Sequence, residues 1–338
     1  MNVLSLFDGM SCGQLALDKA GIKYNNYYAY ELDKFAIQVA RANYPKMVHL
    51  GDVNDWCLHN LPQIDLLIGG SPCQGFSFAG KQLNFDDPRS KLFFVYVDIL
   101  KAYKPKYFLL ENVKMKREYQ DVISNALGVE PIEINSSLVS AQNRKRLYWT
   151  NIHNITQPED KGILLKDILE DGVVDREKGH CLDANYFKGG NLKSYFEKHR
   201  RQLVFSNDNL CHIGDADLKG NESIKRVYHP DGKGPYLTTM GGGHREPKIL
   251  LKPRGNNKGG LRSEDGKVGT LTSNSWQENN HLTYDEGMTW RKLTPLECER
   301  LQTVPDNYTN HVSNTQRYKM LGNGWTVDVI AHIFKGIK

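Results

Sequence analysis

Hydrophobic and polar positions divide the chain into three stretches. Over the first 150 residues, short apolar runs alternate with segments of helical spacing. NVLSLF (2–7), YYAY (27–30), KMVHL (46–50), IDLLIG (64–69) and YFLLEN (107–112) have the length and composition of strands. Between them, Gln14–Ala20 and DKFAIQVARANY (33–44) read as helices. KLFFVYVDILKAY (91–103) is too long an apolar run for one strand and reads as a third. Strands alternating with helices predict an α/β fold built on a doubly wound, mostly parallel sheet. Such sheets bind ligands beyond the carboxyl ends of their strands. Asp8 and Gly9, Glu31, Asp52, Cys73 and Glu111 fall at those ends, so five strands bring polar groups to one edge.

From about 151 to 290 the long periodic runs disappear, and Gly, Asn, Lys and Asp become common. DGKGPYLTT (231–239) resembles DGKVGTLTS (265–273), and EKGHCLDA (177–184) is a fainter third copy. These predict short hairpin or loop units of a second, smaller, irregular domain. Regular patterning returns at 291: TPLECERLQTVP starts with a capping-type Thr294, and TVDVIAHIFKGI is amphipathic at helical spacing. The expected organisation is a first domain over 1–150, a second over 151–290, and a return over 291–338 that completes the first.

Charge sharpens this division. The chain of 338 residues carries a formal net charge of +5, unevenly spread. Residues 188–262 hold 15 Lys and Arg against 7 Asp and Glu, while 151–187 and 263–290 each have an acidic excess of 4. A basic island between acidic flanks suits a polyanion; it also suits a solvated loop region. No apolar stretch approaches the roughly 20 residues a membrane span needs, and MNVLSLFDGM lacks the basic start of a signal peptide. The six cysteines are scattered without a C-x-x-C pair, so neither a metal site nor a disulfide framework is expected. A reducing compartment is expected, with Cys73 as a free thiol.

The candidate chemistry lies at the strand ends. LFDGMSCG after the first run is a glycine-containing turn that lets backbone approach a nucleotide-like ligand; Ser11 stands where G-x-G-x-x-G has its second glycine. Glu31, 22 residues after Gly9, sits where a carboxylate binds ribose hydroxyls, or where an acid faces a helix N-terminus. Asp52 can accept from an adenine amino group, with Val53 against the ring, or can be a cap. Cys73, after Pro72 in GGSPCQGFS, is placed for nucleophilic attack, with no nearby His to activate it. That disfavours a cysteine protease and fits attack on an electron-poor ring carbon whose ring is activated by an acid. Glu111 in ENV offers that acid, since a sheltered carboxyl can donate to a ring nitrogen. QNRKR puts Arg144 and Arg146 on one face of an extended segment, a pair able to hold a carbonyl and a phosphate, though each alone suits a surface charge.

At these residues the chain resembles the S-adenosylmethionine-dependent DNA (cytosine-5-)methyltransferases. The blocks LFDGMSCG, Glu31, GDV, GGSPCQGFS, ENV, QNRKR, RKLTPLECERLQTVPDNY and LGNGWTVDVI occur in order, with one gap at about 151–290. Asp8, Ser11 and Cys12 in the first block and Trp325 in the last are similar to animal de novo enzymes; the Gly-Asn pair of the last block is bacterial in type.

The resemblance implies a class I methyltransferase sheet with a target recognition domain in the gap. It implies S-adenosyl-L-methionine as cofactor, S-adenosyl-L-homocysteine as product, and Cys73, Glu111, Arg144 and Arg146 as catalytic residues. Phe7, Asp8, Gly9, Glu31, Leu32, Asp52, Val53, Pro72, Asn323, Gly324 and Trp325 are expected at the cofactor, and Gln74 and Ser77 at the DNA. Arg245 and Arg254 are expected to read bases, and Lys258 to contact phosphate. The expected partner is double-stranded DNA, with a cognate restriction endonuclease left open. A monomer in the cytoplasm of a bacterial or phage-infected cell is expected. A tRNA methyltransferase of the same fold and an inactive DNA-binding regulator are the alternatives.

Overall fold

The structure is a computed structural model that describes residues 1–71, 88–190, 195, 198–205, 212–215, 226–228, 250–251, 260–261 and 290–338. The chain divides into two compact units: Met1–Glu170, Arg176–Gln202 and Lys292–Lys338 form one, and Asp171–Asp175 and Leu203–Arg291 the other.

The first unit is built on a seven-stranded sheet. Its strands are β1 (Asn2–Leu6), β2 (Asn26–Tyr30), β3 (Val48–Gly51), β4 (Leu66–Gly69), β5 (Tyr107–Val113), β6 (Ile132–Asn135) and β7 (Lys145–Thr150), in the order β3-β2-β1-β4-β5-β7-β6. Pairing is parallel from β3 to β5. β7 then runs antiparallel to both β5 and β6. The helices α1 (Cys12–Ala20), α2 (Lys34–Asn43), α3 (Pro88–Tyr103) and α4 (Arg117–Leu127) connect the strands. The five strands and three helices read from the hydrophobic pattern are all present. The pattern missed α4 and β6, and β7 was only an extended segment. β6 is too short to carry a clear period, α4 is amphipathic but polar on average, and the antiparallel edge is set by pairing with β5.

Leu4, Leu6, Leu67, Phe93, Tyr96 and Trp149 are fully buried in the core beside the sheet. Burial of each such side chain is worth about 1.5–3 kcal/mol. The C-terminal return forms α5 (Pro295–Leu301), α6 (Asn314–Asn323) and α7 (Val327–Phe334), of which α7 packs on α1. Thr294 caps α5 in a reciprocal box with Glu297, as its sequence predicts. α6 is not among the elements read from the pattern; it buries Arg317 together with Tyr318, Met320 and Leu321.

The second unit contains short antiparallel pairs: β8 (His212–Asp215) with β9 (Arg226–Tyr228), and β10 (Leu250–Leu251) with β11 (Gly260–Leu261). The repeats at 231–239 and 265–273 lie outside the described residues. EKGHCLDA belongs to the first unit and forms no hairpin. Gly179 instead lies along the QNRKR block, with its N–H on the Ala141 carbonyl at 2.7 Å and its carbonyl accepting from Asn143 at 2.9 Å. Among the described residues, no helix is long and apolar enough to cross a membrane.

Candidate active site

The loop after β1 turns sharply. Phe7, Gly9 and Ser11 have φ of 59°, 61° and 66°; Gly9 adopts this freely, whereas Phe7 and Ser11 are strained. Two contacts hold the loop: the Asp8 N–H donates to the Tyr30 carbonyl at 3.0 Å, and the Gly9 N–H to Glu31 Oε2 at 2.8 Å. Glu31 also accepts from the Leu32 and Asp33 N–H groups at 2.7 and 2.8 Å, so one carboxylate ties the β1 and β2 ends together. Asp8 is buried. Its Oδ1 accepts from the Tyr27 hydroxyl at 2.6 Å, and its Oδ2 has no partner. Burial pushes its pKa up to about 6, against hydrogen bonds from Ser5, Tyr27 and Ser11.

Asp52 caps the short helix that follows β3, accepting from the Asn54 N–H at 2.9 Å. Val53 is 6% exposed and packs in the core, whereas Leu32 is 67% exposed beside Glu31. Of the two, Leu32 has the apolar surface free to cover a ring.

The second focus is Glu111. β4 and β5 pair up to Gly69 opposite Leu110, so Glu111 projects just past the end of β4. Arg146 Nε lies 3.1 Å from its Oε1, and the Trp325 indole N–H donates to its Oε2 at 3.1 Å. The carboxylate and the indole meet over Gly70, where a Cβ would come within 3.0 Å of Glu111 Oε2 and of Trp325 Nε1. The glycine before Ser71 therefore makes room for the carboxylate and the indole. Asn112 donates to Ser71 Oγ at 3.1 Å and so holds the strand end from which Pro72 and Cys73 continue. Pro72, Cys73, Gln74 and Ser77 lie outside the described residues, as do Arg245, Arg254 and Lys258.

The two arginines of QNRKR have different surroundings. Arg146 faces Glu111. Arg144 is buried, and its donors go to the carbonyls of Leu182 (2.9 Å), Gly322 (3.2 Å) and Gly324 (2.8 Å) and to Cys181 Sγ (3.4 Å). Four of its five N–H donors go to main chain and sulfur, so Arg144 ties the last block to the QNRKR segment. Gly324 thus serves through its carbonyl, and Asn323 is exposed at the end of α6.

Sequence reasoning passed over Gln142 and Gln302. Gln302 accepts from Gln142 at 3.1 Å and from Thr326 at 2.9 Å and donates to the Leu321 carbonyl at 2.6 Å, joining the QNRKR block to the last block. Cys181 was also missed. Only its place between the two arginines distinguishes it.

A family model for C-5 cytosine-specific DNA methylases matches residues 1–338. The chain belongs to this family. The orphan methyltransferase M.Rho11sI of Bacillus phage rho11s is 28% identical, covering 99% of this chain and 97% of its own. The type II methyltransferase M.HhaI of Haemophilus parahaemolyticus is 27% identical over 98% of this chain and 93% of its own. Among solved structures, the Entamoeba histolytica methyltransferase EhMeth has the same fold, with a TM-score of 0.59 at 16% identity, covering 100% of this chain and 99% of that one. The protein is thus a DNA cytosine methyltransferase, and Glu111, Arg146 and Trp325, which meet in its structure, come from three separate blocks of its sequence.

Proposed function

We propose that this methylase transfers the methyl group of S-adenosylmethionine to C5 of a cytosine turned out of duplex DNA, through a transient bond between Cys73 and C6. The observation that carries the reading is the Glu111 carboxylate, fixed by Arg146 and Trp325 beside the end of β4, the strand that leads into Pro72 and Cys73.

The cofactor supplies an electrophilic methyl group when bound. The residues at the β1 and β2 ends fit it. Glu31 is an acceptor for ribose hydroxyls, Leu32 offers apolar surface to the adenine, and Asp52 can accept from the adenine amino group. The unpartnered Oδ2 of Asp8 and the exposed backbone turn at Gly9 suit the charged methionine end, with Phe7 and Trp325 flanking it. The Cys73 sulfur adds to C6 and pushes an electron pair into the ring. Glu111, as the acid, meets that charge by donating its proton to N3 and takes it back when the ring is restored, and Arg146 holds the carboxyl in place. C5 becomes nucleophilic and takes the methyl, leaving S-adenosylhomocysteine. Loss of the C5 proton returns the electron pair, expels Cys73 and leaves 5-methylcytosine. Turning the base out costs a few kcal/mol, which phosphate contacts offset in part.

Target choice is assigned to 151–290, with Arg245 and Arg254 as base readers, Lys258 on phosphate, and Gln74 and Ser77 near the extruded base. Base edges differ in the major groove, and arginine is the side chain that reads them most often. Whether a cognate restriction endonuclease accompanies the enzyme is read from the genomic neighbourhood.

The test uses duplex DNA carrying 5-fluorocytosine, from which C5 cannot release its substituent, so the adduct persists. Wild type with S-adenosylmethionine is expected to form a covalent complex and Cys73→Ser none. An adduct that survives in Cys73→Ser overturns the assignment. Methyl transfer to tRNA but not to duplex DNA overturns the substrate.

A further inference from the structure

Cys181 lies in a segment that the sequence marked only as a faint repeat. Backbone bonds at Gly179 and a bond from the Leu182 N–H to Gln142 Oε1 at 3.2 Å lay this segment along QNRKR. The sulfur ends up between two guanidinium groups, 3.4 Å from Arg144 Nη1 and 3.8 Å from Arg146 Nη2. It is also 3.7 Å from the Leu182 carbonyl. Arg146 has few other anchors: Nε faces Glu111, and Nη1 donates to the neighbouring Lys145 carbonyl at 2.8 Å.

We propose that Cys181 is a positioning residue for methyl transfer: its sulfur, seated between Arg144 and Arg146, fixes the arginine that orients Glu111. The proposal rests on the role given to Glu111 above. Arg144 is immobilised by three carbonyls, so it serves as the fixed wall against which the sulfur rests. Arg146 is the less anchored member: besides Glu111, its guanidinium has the Lys145 carbonyl and this sulfur. The sulfur acceptor narrows its freedom to turn. The electrostatics agree with the geometry. Burial pushes the Cys181 thiol up, but the facing charges of Arg144 and Arg146 outweigh it and hold the thiol below its ordinary value. The two guanidinium groups favour the charged form of the sulfur, which makes a stronger partner for them than a neutral thiol does. The thiol takes no part in bond making; that belongs to Cys73.

The experiment measures tritiated methyl transfer to duplex DNA by Cys181→Ala, Cys181→Ser and Glu111→Gln, normalised to active sites by the fluorocytosine adduct. Cys181→Ala is expected to lower kcat about tenfold, as for coupled neighbours, with KM for DNA and cofactor within about twofold. Cys181→Ser, which keeps an acceptor, should recover part of the loss. In an Arg146→Lys background, Cys181→Ala should cost nothing more. A kcat for Cys181→Ala within twofold of wild type, or losses that multiply in the double variant, overturns the proposal. A Glu111→Gln enzyme with wild-type kcat overturns the role of Glu111 instead. The second measurement needs no variant: iodoacetamide alkylation of Cys181 in the intact enzyme, followed by peptide mass spectrometry against N-acetylcysteine. A midpoint pH below that of N-acetylcysteine supports the seat between the arginines, and one equal or higher overturns it.

Discussion

Glu31 lies just past the end of β2 and Glu111 within β5, beyond the end of β4, yet they are held in opposite ways. Glu31 is fixed by backbone N–H groups of Gly9, Leu32 and Asp33, and the most distant lies 22 residues away. Glu111 is fixed by side chains, one of them Trp325, 214 residues further along the chain. Arg144 reaches 180 residues to Gly324, and Asn112 reaches 41 back to Ser71. The end proposed for the cofactor is, apart from Trp325, a local construction where β1 and β2 pair. The end proposed for catalysis needs the C-terminal return, which brings Trp325 to Glu111, and the segment 176–202, which lies along QNRKR. Disturbance at the first end should appear in cofactor affinity, and disturbance at the second in turnover.

Glu111→Gln tests this most severely. It keeps the shape and loses the charge that faces Arg146. We expect kcat and kcat/KM to fall together by about 10²–10⁴-fold, the range for a group acting in the transition state. Cofactor affinity measured by calorimetry should hold. A loss confined to KM for the cofactor would erase the distinction between the two ends.

Asp8→Asn probes the local end through pH. The folded protein holds the Asp8 proton up to about pH 6 and the unfolded chain releases it near 3.8. Wild-type stability therefore declines as pH rises through that window, by about 3 kcal/mol once both states are ionised. The variant keeps the acceptor for Tyr27 and carries no such cost. In urea unfolding it should gain on wild type at pH 8 and show little difference at pH 4. Equal differences at both pH values would remove the buried-charge account.

Glu31→Ala leaves N–H groups of both loops without their acceptor. S-adenosylmethionine binding should weaken by about 1–3 kcal/mol, with kcat at saturating cofactor nearly kept. An unchanged dissociation constant would separate Glu31 from the cofactor. The smallest effect is expected from Trp325→Phe, which removes one N–H donor from Glu111 and keeps most of the ring. A loss of about 1 kcal/mol, roughly fivefold in kcat, follows from one missing hydrogen bond. A larger change in cofactor affinity than in kcat would assign Trp325 to the cofactor end.

Legibility in the sequence follows the same line. β1, β2, β4 and α1–α3 could be read because each is a continuous apolar run or stripe whose period is set by its own backbone geometry. Glu31 and Glu111 could be read because strand ends in an α/β sheet are where ligands lie. Val53 and Leu32 show the limit: each follows an acid at a strand end, and only packing buries Val53 while leaving Leu32 exposed. Arg144 and Arg146 are alike in spacing, yet one is consumed by main-chain carbonyls and the other faces Glu111.

The sequence by itself determined the alternating α/β plan, the ordered blocks of the family and the edge of the sheet where the chemistry gathers. These are properties of period, residue type and order, which a chain carries before it folds. The tertiary structure alone decided which groups touch: Trp325 over Gly70, Gln302 between two distant blocks, Cys181 between two arginines. Such contacts join segments up to 214 residues apart. No local period encodes them, because side-chain partners across that distance are chosen by packing and by the need of each buried donor to find an acceptor.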